Sequence, residues 1–246
     1  MQRIVLLLGI ILFAQAAFCQ TNVPAPPAPL PEAGNIGFFV GAAVATGAFG
    51  SKNYNDSASG FAKTGVIAGL TASYALNEKL SLTGQFAAFA NNVDDATLAK
   101  QITAKYPGYN WSVMSDNWRA KTFLAGLSLK LPLAAAELDL SGLIGAALTS
   151  SPETFLTGSK GGYTNTAKVS SADANAFCFA LNATFKKELA PKILFLLNGG
   201  FLHTRPQFTN VNTSFTSGTG STANFYQDIS IFNFSVGLAY RFAKRG

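Results

Sequence analysis

Residues 232–242 alternate without a break. Phe232, Phe234, Val236, Leu238, Tyr240 and Phe242 fall on one face, and Asn233, Ser235, Gly237, Ala239 and Arg241 on the other. Successive side chains of a β-strand point to opposite sides, so this segment has one large apolar wall and one small or polar wall. The apolar wall ends in two aromatics, which suits lipid bordered by headgroups better than a water-soluble core. A strand built this way needs partners with the same two-sided character.

The N-terminal end agrees with a route out of the cytoplasm. Arg3 is followed by an apolar run over 4–17, too short to span a bilayer, and by the small residues Ala14, Ala16 and Ala17. That pattern reads as a cleaved secretory signal over 1–19, with cleavage after Ala16 or Cys19. Cys19 raises a lipid-anchor alternative, against which bulky Phe18 occupies the place where a lipobox has a small residue. A proline-rich stretch follows, so residues 20–35 are expected to form an extended periplasmic tail ahead of a barrel over 36–242.

No other long apolar run exists, yet 48% of residues are hydrophobic and only 12% are charged. A soluble chain carries about twice that charge. In lipid all backbone polar groups must pair internally, which leaves helices or closed barrels. Without candidate helices, the barrel remains. Cysteine use shows no disulfide framework and no metal spacing, so no cofactor or metal is expected. The net charge of +6 is scattered and forms no nucleic-acid stripe; contact with anionic lipid is its expected use.

Eight segments share the alternation. In one, Phe123, Ala125, Leu127, Leu129 and Leu131 oppose Thr122, Gly126, Ser128 and Lys130. In another, Phe177, Phe179, Leu181, Ala183 and Phe185 oppose Cys178, Ala180, Asn182, Thr184 and Lys186. The seventh is less clean, with Leu194, Leu196 and Leu202 on the polar side. Connectors alternate between short ones at 77–79, 132–136 and 187–191 and long ones at 48–62, 92–118, 149–173 and 203–227. Short periplasmic turns and long external loops are the pattern of transmembrane barrels. The second short turn sets a register: Leu129 opposite Leu140 and Leu131 opposite Leu138 place Lys130 and Asp139 together inside the periplasmic end. A lumen ion pair is expected there.

The spacing Ser235-x-Gly237-x-x-Tyr240-x-Phe242 resembles the C-terminal signal by which outer-membrane barrels are taken up for assembly, although four residues follow it. With the strand count and loop asymmetry, the chain resembles the small bacterial outer-membrane β-barrels of the OmpA/OmpX type, filed also as porin-family proteins. The resemblance implies an all-β fold, an eight-stranded antiparallel up-and-down transmembrane β-barrel in the outer membrane. Its implied partners are outer-membrane lipid, lipopolysaccharide and the barrel assembly machinery.

Chemistry is sparse. His203 is the single histidine, and a hydrolytic triad needs a serine and a carboxylate beside it. Arg205 stands where a lipid A deacylase pattern has serine; Glu153 and Asp228 are the candidate carboxylates. The plainer reading is an interfacial polar residue. In the second long loop, Asp94 to Lys105 has a short-helix signature, and Tyr106, Tyr109, Trp111 and Trp118 follow as a candidate contact surface. The alternative is a cap on the barrel mouth. Inward Gly, Ala, Ser and Thr leave room for a narrow anion-preferring path past Lys130, Lys186 and Arg241, whereas Gln85, Phe89, Leu124, Leu143 and Leu194 are placed to fill it. The expected role is a non-enzymatic surface protein binding an unidentified extracellular partner, with a narrow channel and then a lipid A-modifying enzyme as alternatives.

Overall fold

The computed structural model describes residues 32–216 and 218–243; the expected signal peptide, and the tail as far as residue 31, lie outside them. In chain order the strands are β1 (Glu32–Thr46), β2 (Gly65–Ala75), β3 (Leu80–Asn91), β4 (Asn110–Ser115), β5 (Trp118–Leu133), β6 (Ala136–Ser150) and β7 (Thr154–Lys160). They continue with β8 (Tyr163–Val169), β9 (Asp173–Ala190), β10 (Ile193–Thr204), β11 (Gln207–Phe215), β12 (Gly218–Tyr226) and β13 (Ile229–Ala243). Two helices, α1 (Gly47–Gly50) and α2 (Asp95–Lys105), lie in the first two long loops.

Strands β1, β2, β3, β5, β6, β9, β10 and β13 close into one antiparallel barrel in which each pairs with its neighbours along the chain and β1 meets β13. Closure removes every edge, which is what lipid demands of a sheet. β1 begins at Glu32, four residues ahead of the expected start at Ile36, because β13 runs on to Ala243 and offers those residues a ladder. The second short turn has the anticipated register, with Leu129 opposite Leu140, Lys130 opposite Asp139 and Leu131 opposite Leu138.

The two walls separate as the alternation requires. On β13, Phe232, Phe234, Val236, Leu238 and Tyr240 face outward at 40–61% exposure, while Asn233, Ser235 and Ala239 are buried in the lumen. Val66, Leu70, Leu82, Phe123, Leu127, Ile144, Phe177, Leu181 and Leu197 extend the same exposed band around the barrel. A soluble protein rarely leaves so large a continuous apolar surface in water. Each such side chain gains about 1.5–3 kcal/mol when covered, and lipid covers all of them at once. Among the described residues no helix is long and apolar enough to cross a membrane; the strands do the crossing.

The long loops are not irregular. Strands from three of them form a second, five-stranded sheet in the order β12-β11-β8-β7-β4. It grows from two hairpins, β7–β8 and β11–β12, with β4 added at one edge. The β7–β8 hairpin turns at Gly161 and Gly162, both at positive φ (57° and 85°), as a two-residue hairpin turn needs.

Candidate functional site

The lumen is a candidate path, and its chemistry changes from one end to the other. At the short-turn end it is polar. Asn198 donates through Nδ2 to Asn233 Oδ1 (2.9 Å) and accepts at Oδ1 from the Thr184 hydroxyl (3.0 Å), and the Thr83 and Ser128 hydroxyls meet at 2.6 Å. Lys130 and Asp139 stand opposite each other there, both 5% exposed. On β9, Thr184 stands opposite Asp139 and Lys186 opposite Glu137; the Lys186 ammonium reaches diagonally to the Asp139 carboxylate at 2.5 Å and lies 3.6 Å from Glu137. Asp139 therefore has a lysine close by on β9 as well as Lys130 opposite it on β5. β6 lies between β5 and β9, so an inward carboxylate on it is reached from either side. What space remains is a cavity of about 40 Å³ lined by Asn35, Ser73, Gln85, Asp139, Asn182 and Lys186. That volume accommodates on the order of one to three waters.

Above this layer the lumen is filled mainly by apolar side chains. Phe39, Ile67, Phe89, Leu124, Leu143, Leu202 and Ile231 point inward and are all at most 4% exposed. Phe39 fits because Gly69 faces it: a Cβ on Gly69 would lie 2.6 Å from the Phe39 ring. The first loop presses down on this layer. Phe49 of α1 is fully buried, and its ring meets Trp118 edge-on at 5.7 Å; Trp118 in turn packs on Phe208 at 5.9 Å. Trp118 Nε1 donates to the Gly60 carbonyl (3.0 Å), and Phe61 beside it holds φ at +50°. That left-handed conformation costs an aromatic residue about 1–2 kcal/mol, which burial of its ring offsets.

An ion pair fastens the first loop to the second. Lys52 bonds to Asp94 at 2.5 Å, and Asp94 also caps α2 by accepting from the Thr97 N–H. The Lys52 ammonium beside it holds the Asp94 carboxyl below its ordinary value of 3.8; burial opposes this, and the Thr97 bond adds to the lowering.

The candidate contact surface is divided by the fold. Tyr106, Tyr109 and Trp111 gather at the far end of α2 and on β4, with Trp111 6.5 Å from Tyr106 and 6.1 Å from Tyr109. Trp118 does not join them. As the first residue of β5 with its side chain turned inward, it is 6% exposed within the plug, so its inclusion in an outer contact face is corrected. Lys160, from the β7–β8 turn, lies 5.2 Å over the Tyr109 ring and was not foreseen; the Gly161-Gly162 dipeptide was the signal for the hairpin that delivers it. Beside it opens a polar cleft of about 500 Å³ lined by Thr103, Tyr109, Asn110, Ser159 and Lys160. Trp111 lies flat on Gly158, where a Cβ would come within 3.0 Å of its ring.

His203 faces outward at the loop end of the barrel, and its Nδ1 meets Ser230 Oγ at 2.8 Å. These residues are cross-strand neighbours, so the contact follows from register. Asp228, the nearby carboxylate in sequence, is bound by Arg205 Nε at 3.2 Å, and Glu153 by Lys168 at 2.9 Å. Among the described residues, no hydrogen bond or ion pair links a carboxylate to the imidazole. Of the terminal-signal residues, Ser235 and Gly237 point into the lumen, Tyr240 points outward and Phe242 is half-buried.

No protein-family model matches the chain, and no curated protein matches it in sequence. Solved structures do. A major outer membrane protein from Thermus thermophilus aligns over 85% of this chain and all of its own, at 14% identity and a TM-score of 0.52. OprG from Pseudomonas aeruginosa aligns over 87% of this chain and 98% of its own, at 13% identity and a TM-score of 0.47. Neisserial surface protein A aligns over 85% and 97%, at 11% identity and a TM-score of 0.46. The fold is that of the eight-stranded transmembrane barrels of the bacterial outer membrane, and the outward apolar band gives it the bilayer as its surroundings.

Proposed function

We propose that this chain is an outer-membrane anchor for a folded surface module. The barrel holds it in lipid, the lumen passes no solute, and the loop sheet presents Tyr106, Tyr109, Trp111 and Lys160 to a partner outside the cell, without catalysis. One observation carries this reading: three of the four long loops fold into a single sheet above an apolar plug, with an aromatic and cationic tip left exposed. Exposed Tyr and Trp next to a cation are the composition of contact surfaces. The narrow-channel alternative requires the Phe49–Trp118–Phe208 layer to leave the lumen. The lipid-modifying alternative rests on the His203–Ser230 contact without an orienting carboxylate.

The test is a comparison of the intact protein, held in nanodiscs, with its Tyr109→Ala/Lys160→Ala variant on arrays of glycans and extracellular-matrix proteins. Binding that is lost in this variant and kept in Lys79→Gln, at the opposite end of the barrel, supports the reading. Binding indifferent to the tip, or solute flux through liposomes carrying the wild-type protein, overturns it.

A further inference from the structure

Arg119 and Lys121 lie two residues apart on β5, both exposed on the outward wall at the loop end of the barrel. Alternation places their Cα atoms about 6.6 Å apart on one face. Their lateral neighbours are uncharged: Ala90 and Ala88 on β3, Ser150 and Leu148 on β6. Directly below on the same face comes Phe123, its ring 4.9 Å from Phe86, where the lipid-facing band begins. One strand beyond Ser150 lies Asp173, and it accepts from the Ser150 hydroxyl at 2.5 Å.

These two cations differ from three others at this end. Lys52, Lys168 and Arg205 are each bound by a carboxylate. Among the described residues, neither Arg119 nor Lys121 takes part in an ion pair. A Lys or Arg rooted at the top of an apolar band lays its stem along that band and lifts its charge to the headgroup level. There the anions available to it are phosphates. A guanidinium binds phosphate oxygens through two parallel N–H groups, and an ammonium adds a point charge beside it.

We propose that Arg119 and Lys121 form a docking site for the phosphate of an anionic lipid in the leaflet around the loop end, with the lipid's chains lying over Phe123 and Phe86. Charge complementarity selects the headgroup, and continuity with the apolar band selects a lipid over a free anion.

The test uses the full chain in a non-ionic detergent, with phosphatidylglycerol and phosphatidylcholine added at equal concentration and retained lipid counted by native mass spectrometry. The wild type should retain phosphatidylglycerol about thirtyfold over phosphatidylcholine, as expected for two basic side chains at an anionic headgroup. Arg119→Gln/Lys121→Gln should abolish the preference. Lys79→Gln/Lys192→Gln, at the short-turn end, should leave it intact, and so should the charge-conserving Arg119→Lys/Lys121→Arg. A wild type without preference, or a double Gln variant that keeps it, overturns the site. Should the double variant fail to fold, the wild type decides alone: its preference must fall as salt is raised from about 50 to about 500 mM. A preference unmoved by salt also overturns the proposal.

Discussion

Replacing Lys186 by methionine tests how the polar end of the lumen is held. Lys186 and Asp139 are each 5% exposed and 2.5 Å apart, and Glu137 is 3.6 Å from the same ammonium. Removing one partner of a buried pair costs about 3–5 kcal/mol, because the remaining charge loses its compensation. Lys186→Met takes the ammonium away from two carboxylates, with Lys130 opposite Asp139 as a remaining nearby cation, so a loss of about 3 kcal/mol is expected. Asp139→Asn leaves Lys186 with Glu137 and should cost less, about 1–2 kcal/mol. The double variant removes both charges and should lose less than the sum of the two, with a coupling of about 2 kcal/mol. Urea unfolding of the protein refolded into lipid vesicles, followed by tryptophan fluorescence, supplies all four stabilities. Additive single effects, or a Lys186→Met cost below about 1 kcal/mol, would refute the reasoning, since Lys186 would then have to be solvated.

Three further outcomes follow from named contacts. Trp118→Ala removes the centre of the Phe49–Trp118–Phe208 stack and the donor to Gly60; it should cost about 3–5 kcal/mol and expose the first loop to protease while the barrel stays folded. Asp94 titrates below its ordinary 3.8 because of Lys52, so its contribution is complete above that value and is lost as pH falls through the lower folded value. Pepsin cleavage of the first loop should therefore rise below about pH 4 in the wild type, whereas Asp94→Asn should be cleaved readily with no such acid step. Ser230→Ala should leave lipid A acylation of expressing cells unchanged, as mass spectrometry of the extracted lipid will report; a shift would return His203 and Ser230 to catalysis.

The barrel was legible because alternation is a local property: one residue of slip would turn Leu129, Leu131, Leu138 and Leu140 into the lumen, so the Lys130–Asp139 register follows from the pattern alone. The approach of Lys186 to Asp139 was not legible. Lys186 lies opposite Glu137, and its diagonal reach to Asp139 depends on how the side chains fill the lumen, which no single hairpin records. The plug shows the same limit. Phe89, Leu124, Leu143 and Leu194 could be placed inward by parity, but Phe39 as lumen filler depends on Gly69 across the ladder. The loop sheet was hidden by composition, since Thr, Ser, Gly and Asn read as loop although they alternate adequately for an exposed hairpin. Gly161-Gly162 between two seven-residue strands was the available sign. Trp118 was misplaced because an aromatic at the end of a long loop and one at the start of a strand look alike until the strand's inward parity is known.

The closed lumen is the claim on which the surface-anchor reading depends, and single-channel recording of residues 20–246, refolded into a planar lipid bilayer, tests it directly. A folded, inserted and electrically silent barrel is the expected result, because the buried apolar layer from Phe39 to Phe208 fills the lumen beneath the loops. Discrete, reproducible openings from the wild-type protein would contradict it.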